Sequence, residues 1–110
     1  MVGKIYLLVR AKRLQSLDGR LKEILKSRCF NVLRDKLGKK GFYDFAFEKI
    51  IPVQGDLISD NLGMSDEDRQ MIIDNVEVII NSAASVSFLD TLHDALKINY
   101  FGSLKMFELG

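Results

Sequence analysis

A basic side chain ends the first apolar run of the chain and suits an anionic ligand. Lys4–Val9 reads KIYLLV, and Arg10 follows it with two more basic residues, Lys12 and Arg13, close behind. At the end of the second strand of a dinucleotide-binding unit, an arginine accommodates the 2′-phosphate of NADP, whereas an acid there binds the 2′-hydroxyl of NAD. A guanidinium pairs with phosphate through parallel hydrogen bonds. Arg10 is therefore a candidate phosphate ligand, although a basic residue after a strand is also common without that role.

An acidic turn follows the next strand candidate, Glu48–Val53 (EKIIPV). In this turn, Gly55-Asp56-Leu57, the Asp56 carboxylate can accept a hydrogen bond from an adenine amino group. The Leu57 side chain can pack on the adenine ring. The alternative is ordinary turn chemistry, for which Gly-Asp is a frequent signal.

Small residues follow the third strand candidate, Val76–Ile80 (VEVII). The segment Asn81–Phe88 reads NSAASVSF. In parallel sheets a ligand crevice lies at the carboxyl ends of the strands, and small side chains there let the backbone approach the ligand closely. We expect Ala83 and Ala84 to face the ribose and pyrophosphate of a cofactor. The alternative is a polar loop between a strand and a helix.

An amide interrupts the apolar face of the helix that the pattern predicts from about Thr91 to Leu109. Helical spacing places the following residues on one face: Leu92, Ala95, Leu96, Asn99, Gly102, Ser103 and Met106. A buried amide needs partners, so we expect Asn99 to bond backbone or water near the end of Val76–Ile80. A partly exposed asparagine is the alternative. We assign no role to His93 on the same helix.

The elements that must position these residues alternate between strand and helix. Apolar residues recur at helical spacing after Ser16 and again from Phe30 to Leu37, and Ser65 opens a further helix with a cap and three acids. Together with three strand candidates, this order predicts an α/β fold with a parallel sheet and flanking helices. The expected architecture is a partial, truncated doubly wound Rossmann-like fold.

Composition is that of one small globular domain. The chain has 110 residues, of which 47% are apolar and 28% charged, and its net charge is +1. Residues 1–40 carry 12 basic and 3 acidic side chains, and residues 41–110 carry 4 basic and 12 acidic ones. This asymmetry indicates either a surface for anions or a solvated basic helix. The single cysteine, Cys29, predicts neither a disulfide nor a metal site. We expect no nucleic-acid partner.

Several segments together resemble one family. They are KIYLLVR (4–10), PVQGDL (52–57), NLGMS (61–65), VIINSAASVSF (78–88) and ALKINYFGSLKMFE (95–108). In order and spacing they are similar to the NADP-binding domain of alcohol-forming fatty acyl-CoA reductases. The resemblance covers almost the whole chain, and it extends less closely to other extended short-chain dehydrogenase/reductases.

The resemblance implies an enzyme that reduces a long-chain fatty acyl-CoA to a primary alcohol with NADPH. Arg10 would select NADPH, Asp56 and Leu57 would seat adenine, and Ala83 and Ala84 would line the path to the nicotinamide. Asn99 would support a proton relay to a tyrosine. Some relatives of this kind associate with peroxisomal or endoplasmic-reticulum membranes, so the resemblance implies an intracellular protein whose membrane attachment, where it has one, lies outside this segment.

Departures from the family pattern make residues 1–110 a partial NAD(P)-binding Rossmann domain. The chain has no Gly-rich phosphate loop and no Tyr-x-x-x-Lys pair, so we expect it to be inactive by itself. Ser103 replaces the usual threonine, and Leu89 replaces an aspartate whose role falls to Asp90. The alternatives are another extended short-chain reductase or epimerase, a thioester-reductase domain, and a non-catalytic truncated nucleotide-binding fragment.

Overall fold

The computed structural model describes residues 3–10 and 14–110. Lys12 and Arg13, which we grouped with Arg10, lie outside the described residues. The chain divides into two compact units, one ending at Gln54 and the other beginning at Gly55. Each unit is described by itself below.

The first unit contains a two-stranded parallel sheet. Strand β1 spans Ile5–Val9 and strand β2 spans Ile50–Gln54, with Ile5 opposite Ile50 and Val9 opposite Gln54. Both strands were predicted to within two residues at either end. Pro52 lies opposite Leu7; a residue without an N–H is tolerated there because every strand of a two-stranded sheet is an edge.

Three helices connect these strands: α1 (Leu17–Leu25), α2 (Asn31–Leu37) and α3 (Lys39–Lys49), with a 3₁₀ turn at Arg28–Phe30. Ser16 caps α1 by accepting a hydrogen bond from the Gly19 N–H at 3.1 Å. The core is formed by one face of α1 and one face of α3, namely Leu21, Leu25, Phe42 and Ala46. Helix α3 was not predicted, because its aromatic residues do not form a clear apolar stripe. The sequence feature that could have indicated this helix is the spacing of its two buried residues, Phe42 and Ala46, which are four residues apart.

The second unit is held by helices and loops. Helix α4 spans Asp66–Asn75, and Ser65 caps it as predicted, with the Asp68 N–H 3.1 Å from the Ser65 hydroxyl. The last helical segment has three parts: α5 (Leu92–Leu96), a π-helical turn (Lys97–Gly102) and α6 (Ser103–Leu109). Its extent was predicted, and its π-helical turn was not. In the described part of the chain, no helix is both long and apolar enough to cross a bilayer.

The third predicted strand is wrong. Val76–Ile80 forms no strand, and the only sheet among the described residues has two strands. Val78 is 75% exposed and Ile80 is 86% exposed. A strand needs a neighbour for its backbone hydrogen bonds, and no described segment pairs with Val76–Ile80.

Candidate functional site

Arg10 lies directly after β1 and is exposed. Because β1 and β2 run parallel and in register from Ile5 to Val9, both strands end at the same edge of their sheet. Ligands of open α/β sheets bind beyond the carboxyl ends of the strands. The position of Arg10 within the first unit is therefore that of a residue free to contact an anion.

The loop that carries Asp56 is closed by a left-handed turn. Asn61, Leu62 and Gly63 have φ values of 51°, 57° and 63°. This turn aims the Leu62 carbonyl at the Asp56 N–H, at 2.6 Å. A Cβ on Gly63 would lie 3.2 Å from the Asp56 nitrogen, so glycine lets the turn approach this closely. The sequence alone did not indicate that Asn61-Leu62-Gly63 positions Asp56.

One carboxylate oxygen of Asp56 is engaged and the other is not. Oδ1 accepts a hydrogen bond from the Ile58 N–H at 3.2 Å. No described residue donates to Oδ2, and Asp56 is only half-buried. The free oxygen can accept from a ligand amino group while Oδ1 keeps the side chain in place.

Leu57 contacts the last helical segment of its own unit. A Cβ on Gly102 would lie 3.0 Å from the Leu57 Cβ, so the helix backbone and the loop are in close approach at this point. The tertiary neighbour of Gly102 at this point is the Leu57 loop. The Lys105 ammonium also donates to the carbonyls of Ile58 and Ser59, at 3.2 and 3.0 Å. These contacts fasten the loop to α6.

Asn99 binds the backbone of the segment that follows Val76–Ile80. Its Oδ1 accepts from the Ser85 N–H at 2.8 Å, and its Nδ2 donates to the Ser85 carbonyl at 3.1 Å. The predicted pairing with backbone is confirmed. The predicted burial is wrong, because Asn99 is exposed and Leu92 on the same helix is 77% exposed. Asn99 lies in the π-helical turn, where residue spacing departs from that of an α-helix, so the face predicted from α-helical spacing does not continue unchanged through it.

Asn99 belongs to a larger hydrogen-bond network that the sequence did not predict. The Ser103 hydroxyl donates to the Asn99 carbonyl at 3.0 Å and accepts from the Asn81 amide at 3.2 Å. The Ser85 hydroxyl donates to the carboxylate of Asp90. The segment from Asn81 to Ser85 is thus bonded to the helix at both ends, and Asp90 is bonded to Ser85. One feature of the sequence could have indicated this network: the hydroxyl of Ser103, which lies one helical turn after Asn99.

Ala83 and Ala84 lie inside this tied segment and are exposed. Neither has a side-chain atom beyond Cβ, so their backbone is open to a ligand. Within the second unit, Asn99 bonds the backbone of Ser85, the residue that follows Ala83 and Ala84.

Similarity to known proteins assigns the chain to a family. An NAD-binding family described as male sterility protein matches residues 1–110. The chain belongs to this family. Fatty acyl-CoA reductase 1 of Arabidopsis thaliana is 41% identical over 107 residues, which are 96% of this chain and 22% of that protein. Fatty acyl-CoA reductase 1 of Mus musculus is 38% identical over 108 residues, 98% of this chain and 20% of that protein.

The male sterility family member described here therefore spans about a fifth of the length of these relatives. A third relative, chloroplastic fatty acyl-CoA reductase 2 of Arabidopsis thaliana, is 39% identical over 102 residues, which are 92% of this chain and 16% of that protein. The matching family is one of NAD-binding proteins, which supports a nicotinamide dinucleotide cofactor, and these three relatives are named fatty acyl-CoA reductases. The two strands and flanking helices agree with a partial Rossmann-like fold.

Taken one at a time within their own units, several residues of this family member have the chemistry that suits contact with a dinucleotide. Arg10 offers an exposed cation, Asp56 a free carboxylate oxygen, and Ala83 and Ala84 an open backbone. The printed sequence has no G-x-G-x-x-G motif, the turn that holds a pyrophosphate at a helix N-terminus.

Proposed function

We propose that this chain is the part of an NADPH-dependent, alcohol-forming fatty acyl-CoA reductase that binds the adenosine end of the cofactor. The observation that supports this most is the similarity to proteins named fatty acyl-CoA reductases, which extends over 96–98% of the chain. A similarity of this extent leaves out only a few of the 110 residues, so it spans the region from Arg10 to Asn99 that holds the candidate residues. The substrate of the whole protein is then a long-chain fatty acyl-CoA.

Each candidate residue has one role in this proposal. Arg10 binds the 2′-phosphate and makes the enzyme prefer NADPH. Asp56 accepts a hydrogen bond from the adenine amino group through Oδ2, and Leu57 forms an apolar side of the adenine site. Ala83 and Ala84 lie beside the ribose and pyrophosphate, where larger side chains would keep the cofactor away.

Asn99 is a positioning residue in this proposal. When bound, NADPH supplies the hydride that reduces the thioester carbonyl. Asn99 holds the backbone of Ser85, and through it the segment that carries Ala83 and Ala84, in one conformation. The proton donor that completes reduction is a tyrosine of a Tyr-x-x-x-Lys pair, and the printed sequence contains no such pair. Membrane association, at peroxisomes or the endoplasmic reticulum, would come from parts of the protein other than this segment.

The test is a product assay on a protein that carries this segment together with a Gly-rich loop and a Tyr-x-x-x-Lys pair. With long-chain acyl-CoA, two molecules of NADPH should be oxidised for each primary alcohol formed, and NADH should replace NADPH poorly. Release of aldehyde alone would indicate a thioester-reductase domain. Conversion of a nucleotide sugar without net oxidation of cofactor would indicate an epimerase and refute the proposal.

A further inference from the structure

A cavity of about 480 Å³ lies among the helices of the first unit and is lined mainly by cations. Its lining residues are Lys26, Arg34, Asp35, Lys39 and Tyr43. Three basic side chains and one carboxylate give it a net charge of +2. Among the described residues, no carboxylate lies within ion-pair distance of any of the three cations. No ion pair therefore offsets the charge of these cations. A concave site concentrates their electric field, so an anion is attracted most strongly there.

Arg34 is fixed in this cavity by neutral partners. Its guanidinium donates to the carbonyls of Leu25 and Ser27 and to the side-chain oxygen of Asn31, and it lies over the Phe42 ring with 5.7 Å from Cζ to the ring centroid. None of these partners cancels its charge. A guanidinium held in place loses little freedom when it binds a ligand, which favours binding.

The two lysines approach the cavity from different helices. Lys26 follows the last residue of α1, and Lys39 is the first residue of α3. Gly38 precedes α3 and has no side chain to cap it, so the first N–H groups of α3 remain open to an acceptor and add to the attraction of the cations.

We propose that this cavity binds a phosphate monoester through Lys26, Arg34 and Lys39. A phosphate monoester carries about two negative charges near neutral pH, which matches the net charge of the cavity. Asp35 would repel a bare anion but can accept a hydrogen bond from a hydroxyl on the group that carries the phosphate. The ligand is thus a phosphate on a hydroxyl-bearing scaffold, either a soluble nucleotide or the headgroup of a phospholipid.

This proposal is independent of the proposed reductase function. None of the residues assigned to the adenosine end of the cofactor lines the cavity. The two can therefore fail separately, and the Arg10→Ala variant distinguishes them. If Arg10 alone holds phosphate monoesters, that variant loses their binding and the cavity proposal is wrong.

The experiment compares two double variants of equal charge. Lys26→Gln with Lys39→Gln removes two cations from the cavity, whereas Lys36→Gln with Lys40→Gln removes two exposed cations of α2 and α3 that do not line it. Calorimetry measures the binding of coenzyme A, dephospho-coenzyme A and inorganic phosphate. Cosedimentation measures binding to phosphatidylcholine vesicles with and without phosphatidylinositol 4-phosphate, whose headgroup carries a phosphate monoester and free hydroxyls. Unfolding curves verify that both variants fold.

We expect the cavity variant to lose affinity for the phosphate monoester about tenfold or more, and the control variant to change it by less than about twofold. If the source is a nucleotide, coenzyme A binds more tightly than dephospho-coenzyme A, which lacks the monoester. If the source is a lipid, vesicles with phosphatidylinositol 4-phosphate bind and coenzyme A does not. Equal losses in both variants, or no binding of any probe by the unaltered chain, would overturn the proposal.

Discussion

At the scale of single residues, Asn99 is the most constrained candidate. Both ends of its amide bind the backbone of one residue, Ser85, at 2.8 and 3.1 Å. Its own carbonyl accepts from the Ser103 hydroxyl. A side chain with these partners acts on the segment it holds, so its loss affects geometry before it affects affinity.

Replacing Asn99 with leucine should reduce turnover of the complete enzyme more than it weakens NADPH binding. Two hydrogen bonds of about 0.5–1.5 kcal/mol each would be lost from the segment that carries Ala83 and Ala84. Asn99→Asp keeps the acceptor for the Ser85 N–H, so its turnover should fall less than that of Asn99→Leu. Asn75→Leu, whose amide bonds only its own helix at the Met71 carbonyl, is the control. Comparable losses in kcat and in cofactor affinity would contradict the positioning role.

In the complete enzyme, replacing Arg10 with alanine should remove the preference for NADPH over NADH. A charge-assisted contact with the 2′-phosphate contributes about 1.5–3 kcal/mol, so NADPH affinity should fall by at least about tenfold while NADH affinity changes little. Arg28→Ala is a control of equal charge at an exposed position of the same unit. Fluorescence titration measures the affinities for NADPH and NADH, and their ratio gives the cofactor preference of each variant. An unchanged preference would assign the 2′-phosphate to another residue.

At the scale of elements, glycines with different surroundings lie in two helical segments. Gly41 lies in α3 with only the Leu37 Cβ near its missing side chain, at 3.8 Å. Gly102 ends the π-helical turn, where a Cβ would meet the Leu57 Cβ at 3.0 Å. Helix propensity favours alanine at both positions, but packing leaves room at only one of them.

Gly41→Ala should stabilise the chain and Gly102→Ala should destabilise it. The gain at Gly41 is about 0.5–1 kcal/mol in the free energy of unfolding, from higher helix propensity. The loss at Gly102 is about 1–3 kcal/mol, because Leu57 must move away. Urea unfolding measures both. A stabilised Gly102→Ala variant would show that the loop of Asp56 and Leu57 is not held against the helix.

At the scale of the whole molecule, apolar residues of the second unit are exposed beside the segment that Asn99 holds. Val86, Phe88 and Leu89 are 86%, 102% and 95% exposed, next to the segment held by Asn99. The sequence contains neither a Gly-rich phosphate loop nor a Tyr-x-x-x-Lys pair. Arg10 and Asp56 contact only adenosine in the proposal, so most of the binding free energy of a dinucleotide has no source in this chain.

The 110-residue chain should therefore form no fatty alcohol and bind NADPH at best in about the millimolar range. A few hydrogen bonds, offset by the cost of ordering the ligand, give about 4 kcal/mol. Calorimetry with NADPH and a fatty-alcohol assay on the purified chain measure both, with a protein-free sample as the control. Micromolar binding, or alcohol above that control, would place the dinucleotide site on residues other than those assigned.

The sequence by itself determined the parts of this protein that depend on local pattern. Apolar runs and caps predicted β1, β2, α1, α4 and the extent of the last helical segment, because hydrophobic periodicity and capping act between neighbouring residues. Motif order predicted the family. An amide within a helical pattern predicted that Asn99 would bond to backbone.

Only the tertiary structure decided which distant residues meet. Val76–Ile80 has the composition of a strand, but a strand requires a neighbour, and no local pattern reveals whether one is present. The π-helical turn, the hydrogen bonds from Asn81 to Asp90 and the left-handed turn beneath Asp56 likewise depend on contacts between separated parts of the second unit. Residue type fixes what a side chain can bond, whereas the path of the backbone decides which partner is within reach.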